Sequence, residues 1–128
     1  MAADDLTTTD GSLDAEAVRV LVLMLEADAE ALAEIVDAFL DEAPERLSEL
    51  RAGAPAGDSV LVGRAAHTLK ANAAMFGARH LEALCRDLEA DARVGDLTDA
   101  TSRIEAIDAA WLAARPELVA LRERGRAA

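Results

Sequence analysis

Hydrophobic residues return every three or four positions along much of the chain, a spacing that places them on one face of a helix. The pattern is longest in two segments, one in the first half of the chain and one near its C-terminus. The apolar positions of the first segment are Leu32, Ile35, Val36, Phe39, Leu40, Ala43, Leu47 and Leu50. Those of the second are Ile104, Ile107, Trp111, Ala114, Leu118 and Leu121. Both segments are therefore predicted to be long helices that each bury one face in a bundle.

Capping residues, glycines and a glycine- and proline-rich turn at residues 52–58 divide the chain into five predicted helices. The predicted spans are about residues 14 to 26–28, 30–52, 58–75, 78–94 and 98–121. The proposed caps are Asp58 or Ser59 for the third helix and Thr98 for the fifth, while Gly77 and Gly95 end the third and fourth.

Two prolines fall inside the long predicted helices. Pro44 predicts a kink or local irregularity and Pro116 a bend or interruption, because an interior proline removes one backbone hydrogen bond. Short connections make successive long helices antiparallel. The predicted fold class is all-α: an up-down-up-down four-helix bundle, capped by the short first helix. The bundle domain is predicted to span residues 13–122, between a disordered arm at 1–12 and a frayed tail at 123–128.

Composition and charge agree with one small helical domain. The 128 residues include three aromatic residues and 52% hydrophobic residues, which favours closely packed helices over a sheet-rich fold. With 25 acidic and 13 basic residues, the formal charge of −12 opposes binding to nucleic acid or to an anionic membrane.

The start of the chain lacks a signal-peptide pattern, and the apolar run at 20–25 is too short to span a bilayer. A cytoplasmic location is therefore expected, and Cys85, the single cysteine, is predicted to fill the core.

The third predicted helix carries a histidine on the side opposite its apolar face. His67 points away from the mean direction of Leu61, Val62, Ala65, Leu69, Ala73 and Phe76 on a helical wheel. The residues that share the outward side with it are small: Gly63, Ala71, Ala74 and Ala78. Two cations, Arg64 and Lys70, lie one turn away at i−3 and i+3, within reach of a group attached to the ring.

This arrangement indicates phosphoryl transfer onto and off His67. An exposed imidazole with a pKa of ~6.5 is a good nitrogen nucleophile near neutral pH. Arg64 and Lys70 can stabilise the oxygens of a transferring phosphoryl group, and the small residues let a partner's active site close over the ring. No nucleotide-binding motif of the G-x-x-x-x-G-K-[ST] or G-x-G-x-x-G type is present, so the chain is expected to receive the group from a partner.

Other polar residues receive structural interpretations. His80, the only other histidine, is predicted to have a solvated or helix-end role. The acidic clusters 41–42 and 89–91 lack histidines at metal-ligand spacing and are interpreted as solvated faces, so no metal site is expected. Asn72 lies at the edge of the apolar face, where its amide must find a partner if it is buried, and packing or helix contact is expected rather than a chemical role.

The sequence Ala66-His67-Thr68-Leu69-Lys70-Ala71, closed by Phe76 and Gly77, resembles the motif of histidine phosphotransfer (HPt) domains, A-H-x-L-K-G-x-x-x-x-hydrophobic-G. The likeness extends over residues 13–121. It implies that His67 is phosphorylated, at Nε2, that Lys70 supports the phosphoryl group, and that Gly77 ends the histidine helix. The departures are Ala71, where the family usually has glycine, and Asn72 and Ala73, where small hydroxyl residues are common.

The resemblance also implies the partners. A monomeric HPt protein would relay the phosphoryl group between aspartates of response-regulator receiver domains, supplied by a hybrid histidine kinase, without kinase activity of its own. The receiver would bring Mg²⁺, so no cofactor is expected on this chain. Helix spacing places Ala43 to Glu45 level with His67, which extends the expected partner footprint to that region. The alternatives are an HPt-like adaptor that docks a receiver or kinase without carrying phosphate, and a purely structural bundle.

Overall fold

The computed structural model describes residues 11–127, and within that range the only regular elements are helices. In chain order they are α1 (Ala15–Met24), α2 (Ala29–Gly53), α3 (Ser59–Met75), α4 (Arg79–Arg93) and α5 (Ala100–Ala127). Residues 1–10 of the predicted disordered arm lie outside the described residues.

The four long helices form a ring of contacts, in which α3 packs on α4, α4 on α5, α5 on α2 and α2 on α3. The short helix α1 contacts α3. The prediction of an all-α four-helix bundle with an N-terminal capping helix is therefore confirmed. None of the helices within residues 11–127 is long and apolar enough to cross a membrane.

Aspartates begin three of these helices. The side chains of Asp14, Asp28 and Asp58 accept hydrogen bonds from the backbone N–H groups of Glu16, Ala31 and Leu61. Such caps satisfy donors that have no partner inside the helix, and Asp58 is confirmed as the cap of the histidine helix. The prediction of Thr98 as a cap is wrong, because α5 begins at Ala100 and the backbone N–H of Thr98 donates to the Asp96 carboxylate.

Neither interior proline ends its helix: α2 runs through Pro44 and α5 through Pro116. The predicted interruption at Pro116 does not occur, since Trp111 and Ala114 before it and Leu118 after it are all buried in the same core. The predicted frayed tail is also wrong for residues 123–127. They belong to α5, where Gly125 is buried and an added Cβ would lie 2.7 Å from the carbonyl oxygen of Ala29.

Gly77 connects α1 to the end of the histidine helix. Its φ of +68° is in the left-handed region that favours glycine, and it ends α3 as predicted. Its carbonyl accepts the backbone N–H of Asp14 at 2.8 Å. An added Cβ would lie 2.7 Å from the Cβ of Ala17 and 2.8 Å from that of Asp14, so α1 packs directly on this turn.

The core joins α2, α5 and the end of α3 through three aromatic rings. Phe39 stacks on Phe76 with ring centroids 5.5 Å apart, and the ring of Trp111 lies 5.1 Å from Phe39 at an angle of 57°. Cys85 is fully buried, as predicted, and desolvation by burial raises the pKa of its thiol to about 12. This core holds α3 and α4 side by side, and His67 lies on the outside of that pair.

Candidate functional site

His67 projects from the outer side of α3, as its place in the helical pattern predicts. Its side chain is 64% exposed, whereas Ala65, Leu69 and Ala73 on the same helix are buried. The ring therefore reaches solvent from a backbone that is fixed by core packing on its opposite side.

A buried carboxylate from α4 holds the inner edge of the ring. Glu89 is only 8% exposed, and its Oε2 lies 2.7 Å from Nδ1 of His67. Its other oxygen, Oε1, accepts a hydrogen bond of 2.5 Å from Nζ of Lys70. Desolvation by burial raises the pKa of Glu89, but the hydrogen bonds and charges of Lys70 and His67 outweigh it, so the pKa lies below its usual value. Glu89 is therefore an ionised group that links His67 to Lys70.

The charge state of Glu89 decides the tautomer of the imidazole. An ionised carboxylate can only accept hydrogen bonds, so the proton of the neutral ring is assigned to Nδ1, which faces Glu89. The lone pair is then on Nε2, the ring nitrogen on the side away from this carboxylate. A histidine held in this way has its nucleophilic nitrogen available to a partner.

The cations around the ring differ in their partners. Lys70 is bound to Glu89 and is about one-quarter exposed. Arg64 is exposed, and its side chain makes no hydrogen bond or ion pair with any residue of the described range 11–127. A third cation, Arg93 on α4, was not predicted. Its guanidinium is 3.7 Å from Oε2 of Glu89, and its side chain is 74% exposed.

The small residues predicted to surround His67 separate into two groups. Ala71 is exposed, and Gly63 and Ala74 are partly exposed, so these three can contact a partner. The prediction is wrong for Ala78, which is 1% exposed. The left-handed turn at Gly77 redirects the chain, and the backbone N–H of Ala78 then bonds to the carbonyl of Ala73 at 2.9 Å. A helical wheel continued past Met75 does not include this change of direction.

Comparison with known proteins identifies the family. A family model described as the Hpt domain matches residues 34–121, more than half of the chain. The chain belongs to the Hpt domain family. The crystal structure of histidine-containing phosphotransfer protein B (HptB) from Pseudomonas aeruginosa PAO1 is similar, with a TM-score of 0.79 and 29% identity over 91% of this chain and 98% of that chain. A comparison with curated proteins gave no match.

This HPt chain is thus a histidine phosphotransfer protein of phosphorelay signalling. HPt proteins are phosphotransfer intermediates rather than kinases, and they interact with receiver domains and kinases of phosphorelays. Within residues 11–127, no group of three or more His, Cys, Asp or Glu side chains is placed to hold a metal ion.

Glu89 is the residue of the HPt site that sequence reasoning missed. Its assignment to a solvated acidic face is wrong, because it lies four residues after Cys85 and three before Ala92, both of which are buried. That spacing was the available signal, since it places a carboxylate on the apolar side of a helix. The neighbouring Asp91 also has a partner: its carboxylate forms an ion pair with Nε of Arg103 at 2.6 Å.

Four further positions of the HPt chain carry sequence predictions: Asn72, Ala73, Ala43 and Glu45. Asn72 donates to Glu42 on α2 at 3.2 Å, which confirms the expected contact between helices. Ala73 is fully buried, so a hydroxyl at that position would face the core rather than a phosphoryl group. Ala43 is fully buried and is excluded from any partner footprint, whereas the side chain of Glu45 is 72% exposed.

Proposed function

We propose that this HPt protein carries the phosphoryl group on Nε2 of His67 and relays it between receiver-domain aspartates. The observation that supports this most directly is the 2.7 Å contact between Nδ1 of His67 and the buried Glu89 carboxylate. This contact is the reason to assign the ring proton to Nδ1. The lone pair of the exposed imidazole is then on Nε2.

The transfer step conserves atoms and charge. The Nε2 lone pair attacks the phosphorus of a receiver's aspartyl phosphate, a P–N bond forms, the P–O bond to aspartate breaks, and the carboxylate leaves with the electron pair. The phosphorylated ring keeps its proton on Nδ1 and becomes cationic. Glu89 stabilises that cation through the existing hydrogen bond. Transfer to the next receiver is the reverse reaction with a different aspartate.

Lys70 and Arg64 have different roles in this proposal. An ammonium group has three donors, so Lys70 can contact a phosphoryl oxygen while it remains bound to Glu89. Arg64, without a partner in the described residues, is available to the phosphoryl group or to the receiver. The Mg²⁺ implied by the family resemblance belongs to the receiver, and the chain itself is proposed to use no cofactor.

We further propose that the chain acts as a monomer in the cytoplasm, between a hybrid histidine kinase and a response regulator. Both partners contain the receiver domains on which aspartyl phosphates form. The absence of a nucleotide-binding motif from the sequence supports a role as an intermediate in this order of transfers.

The experiment is to mix the purified chain with phosphorylated receiver domains and to measure intact mass. One acid-labile phosphoryl group is expected on the wild type and on His80→Gln, a control that removes the other exposed histidine. His67→Gln should remain unmodified with an unchanged helical circular dichroism spectrum, because its side chain faces solvent. Nitrogen–phosphorus coupling in NMR spectra should assign phosphorus to Nε2.

Two results would contradict the proposal. Modification of His67→Gln would place the phosphoryl group on another residue. An unmodified wild type that still binds receivers would instead support the adaptor alternative. Glu89→Gln supplies a further check, since it should still be modified but at least about tenfold more slowly, the effect of ~1.4 kcal/mol on the barrier.

A further inference from the structure

A buried carboxylate of α5, far along the chain from the histidine site, binds the segment that leads into α1. Glu117 is 6% exposed, and its Oε2 accepts a hydrogen bond of 2.6 Å from the backbone N–H of Ser12. Its Oε1 accepts a second hydrogen bond, of 3.4 Å, from the N–H of Leu13. The hydroxyl of Ser12 donates to the carbonyl of Ala113, one turn earlier on α5. We call residues 11–14 the strap.

The strap is also bound to the turn that ends the histidine helix. The backbone N–H of Asp14 donates to the carbonyl of Gly77 at 2.8 Å, and the Asp14 carboxylate is 3.5 Å from the guanidinium of Arg79. Leu13, between these contacts and those with α5, is 3% exposed. The strap therefore bridges α5 and the start of α4, and it holds the N-terminal end of α1.

The helix that follows the strap has apolar residues on both of its sides. Val18 and Val22 are buried, whereas Val20, Leu23 and Met24 are 46%, 57% and 76% exposed. A helix that is apolar all round gains most when both sides are covered, so closure of α1 gains less than its composition would allow. With 10 residues, α1 is also shorter than the ~12–15 residues that a helix needs to be even marginally stable alone in water. We therefore expect α1 to lose its structure when it leaves the bundle.

The connection from α1 to α2 is strained. Glu26 has a φ of +55° and Ala27 a φ of +57°, in the left-handed region that residues with a Cβ rarely adopt. Both residues are exposed, so burial of their side chains does not compensate for this strain. Their backbone N–H groups bond to the carbonyls of Leu23 and Val22 at 3.0 Å and 2.9 Å, which fixes the turn only while α1 is helical. Detachment of α1 would let both residues return to common backbone conformations.

We propose that α1 is a hinged lid. The strap and α1, residues 11–24, detach together about Glu26 and Ala27 while the four long helices remain folded. The Glu117 carboxylate is the latch, because it belongs to the bundle and holds the strap through two backbone hydrogen bonds. Opening removes the N–H of Asp14 from the carbonyl of Gly77 and uncovers the turn that ends the histidine helix. This motion does not require phosphoryl transfer.

Hydrogen exchange of the full chain, followed by NMR at single amides, tests the lid. After correction for intrinsic exchange rates, the amides of Leu21 and Val22 should exchange at least about 100-fold faster than those of Leu69 and Leu88, which need unfolding of the bundle. Low concentrations of urea should accelerate the α1 amides much less than the bundle amides, because a local opening exposes little surface.

A variant of the bundle core separates the two kinds of opening. Ile107 is fully buried in α5, and Ile107→Val should accelerate exchange at Leu69 and Leu88 about threefold or more. The α1 amides should not change, since the bundle keeps its packing when only the lid opens. If α1 opened only with the whole fold, its amides would accelerate by the same factor.

A variant of the latch should act on the lid directly. Glu117→Gln keeps the shape of the side chain but removes the charge that strengthens its hydrogen bonds, so the α1 amides should all accelerate by one common factor of at least about tenfold. Glu105→Gln makes the same change at an exposed position of α5 and should alter exchange less than about twofold.

The hinge supplies a second pair of variants at an exposed position. Ala27→Val should accelerate the α1 amides about threefold or more, because a β-branched residue is strongly disfavoured at positive φ. Ala27→Gly should slow them about twofold or more, because glycine adopts this conformation without strain. Circular dichroism should show a helical bundle in every variant.

Three results would overturn the proposal. Equal exchange of α1 and bundle amides in the wild type, or their equal acceleration by Ile107→Val, would show that no separate lid exists. Unchanged α1 exchange in Glu117→Gln would show that this carboxylate is not the latch. Equal effects of Ala27→Val and Ala27→Gly would show that the hinge is not strained in the closed form.

Discussion

At the scale of single residues, Glu89 has the greatest effect on the chemistry of the site. Burial of a carboxylate is unfavourable unless hydrogen bonds and opposite charge compensate it. Here the two carboxylate oxygens have separate partners, Nδ1 of His67 and Nζ of Lys70. One buried group thus orients the nucleophile and holds a cation beside it.

The lowered pKa of Glu89 makes the stability of the domain depend on pH in a defined direction. A carboxyl group whose folded-state pKa is lowered contributes stability above its unfolded pKa of ~4.3, and that stability is lost as pH falls through the folded pKa. We expect the difference in urea unfolding free energy between the wild type and Glu89→Gln to shrink as pH falls below about 4. A difference that stays constant down to about pH 2 would contradict the ionised, hydrogen-bonded state of Glu89.

At the scale of elements, periodicity was enough to predict which helices exist and which way His67 faces. Helical periodicity is a local property, and the bundle follows from it because each apolar face needs a partner. The errors come from contacts between elements. The helix end after residue 122 depends on the fit of Gly125 against Ala29, and the burial of Ala78 depends on the turn at Gly77. Local spacing indicates that Glu89 is buried but not what it contacts, since its partners lie on another helix, 19 and 22 positions earlier in the chain.

The turn at Gly77 offers a test of how α1 is held. Gly77 and Gly57 both have φ of +68°, but only at Gly77 would a Cβ meet other atoms, at 2.7 Å from Ala17 and 2.8 Å from Asp14. Gly57→Ala should therefore cost only the backbone strain, about 1 kcal/mol. Gly77→Ala should cost about 2 kcal/mol or more, since the strain adds to displacement of α1. Urea unfolding measures the loss of unfolding free energy in each variant. Equal losses in Gly57→Ala and Gly77→Ala would show that α1 is displaced from residue 77 without an energetic cost.

At the scale of the whole molecule, acidic charge is in excess, and the formal net charge is −12. Many of the arginines are paired with carboxylates, such as Arg51 with Asp108 at 2.9 Å and Arg126 with Asp37 at 2.6 Å. Exposed pairs of this kind contribute little to stability, so the repulsion among unpaired carboxylates is expected to dominate the response to salt.

Raising NaCl from about 0.01 M to about 0.15 M shortens the Debye length from about 30 Å to about 8 Å. Over that range we expect the urea unfolding free energy to rise, by about 1 kcal/mol, as repulsion among the excess carboxylates is screened. Glu34→Gln with Glu105→Gln removes two exposed charges that have no ion pair in residues 11–127 and should reduce this rise. If stability fell with salt instead, the ion pairs rather than the excess acidic charge would dominate the electrostatics of the fold.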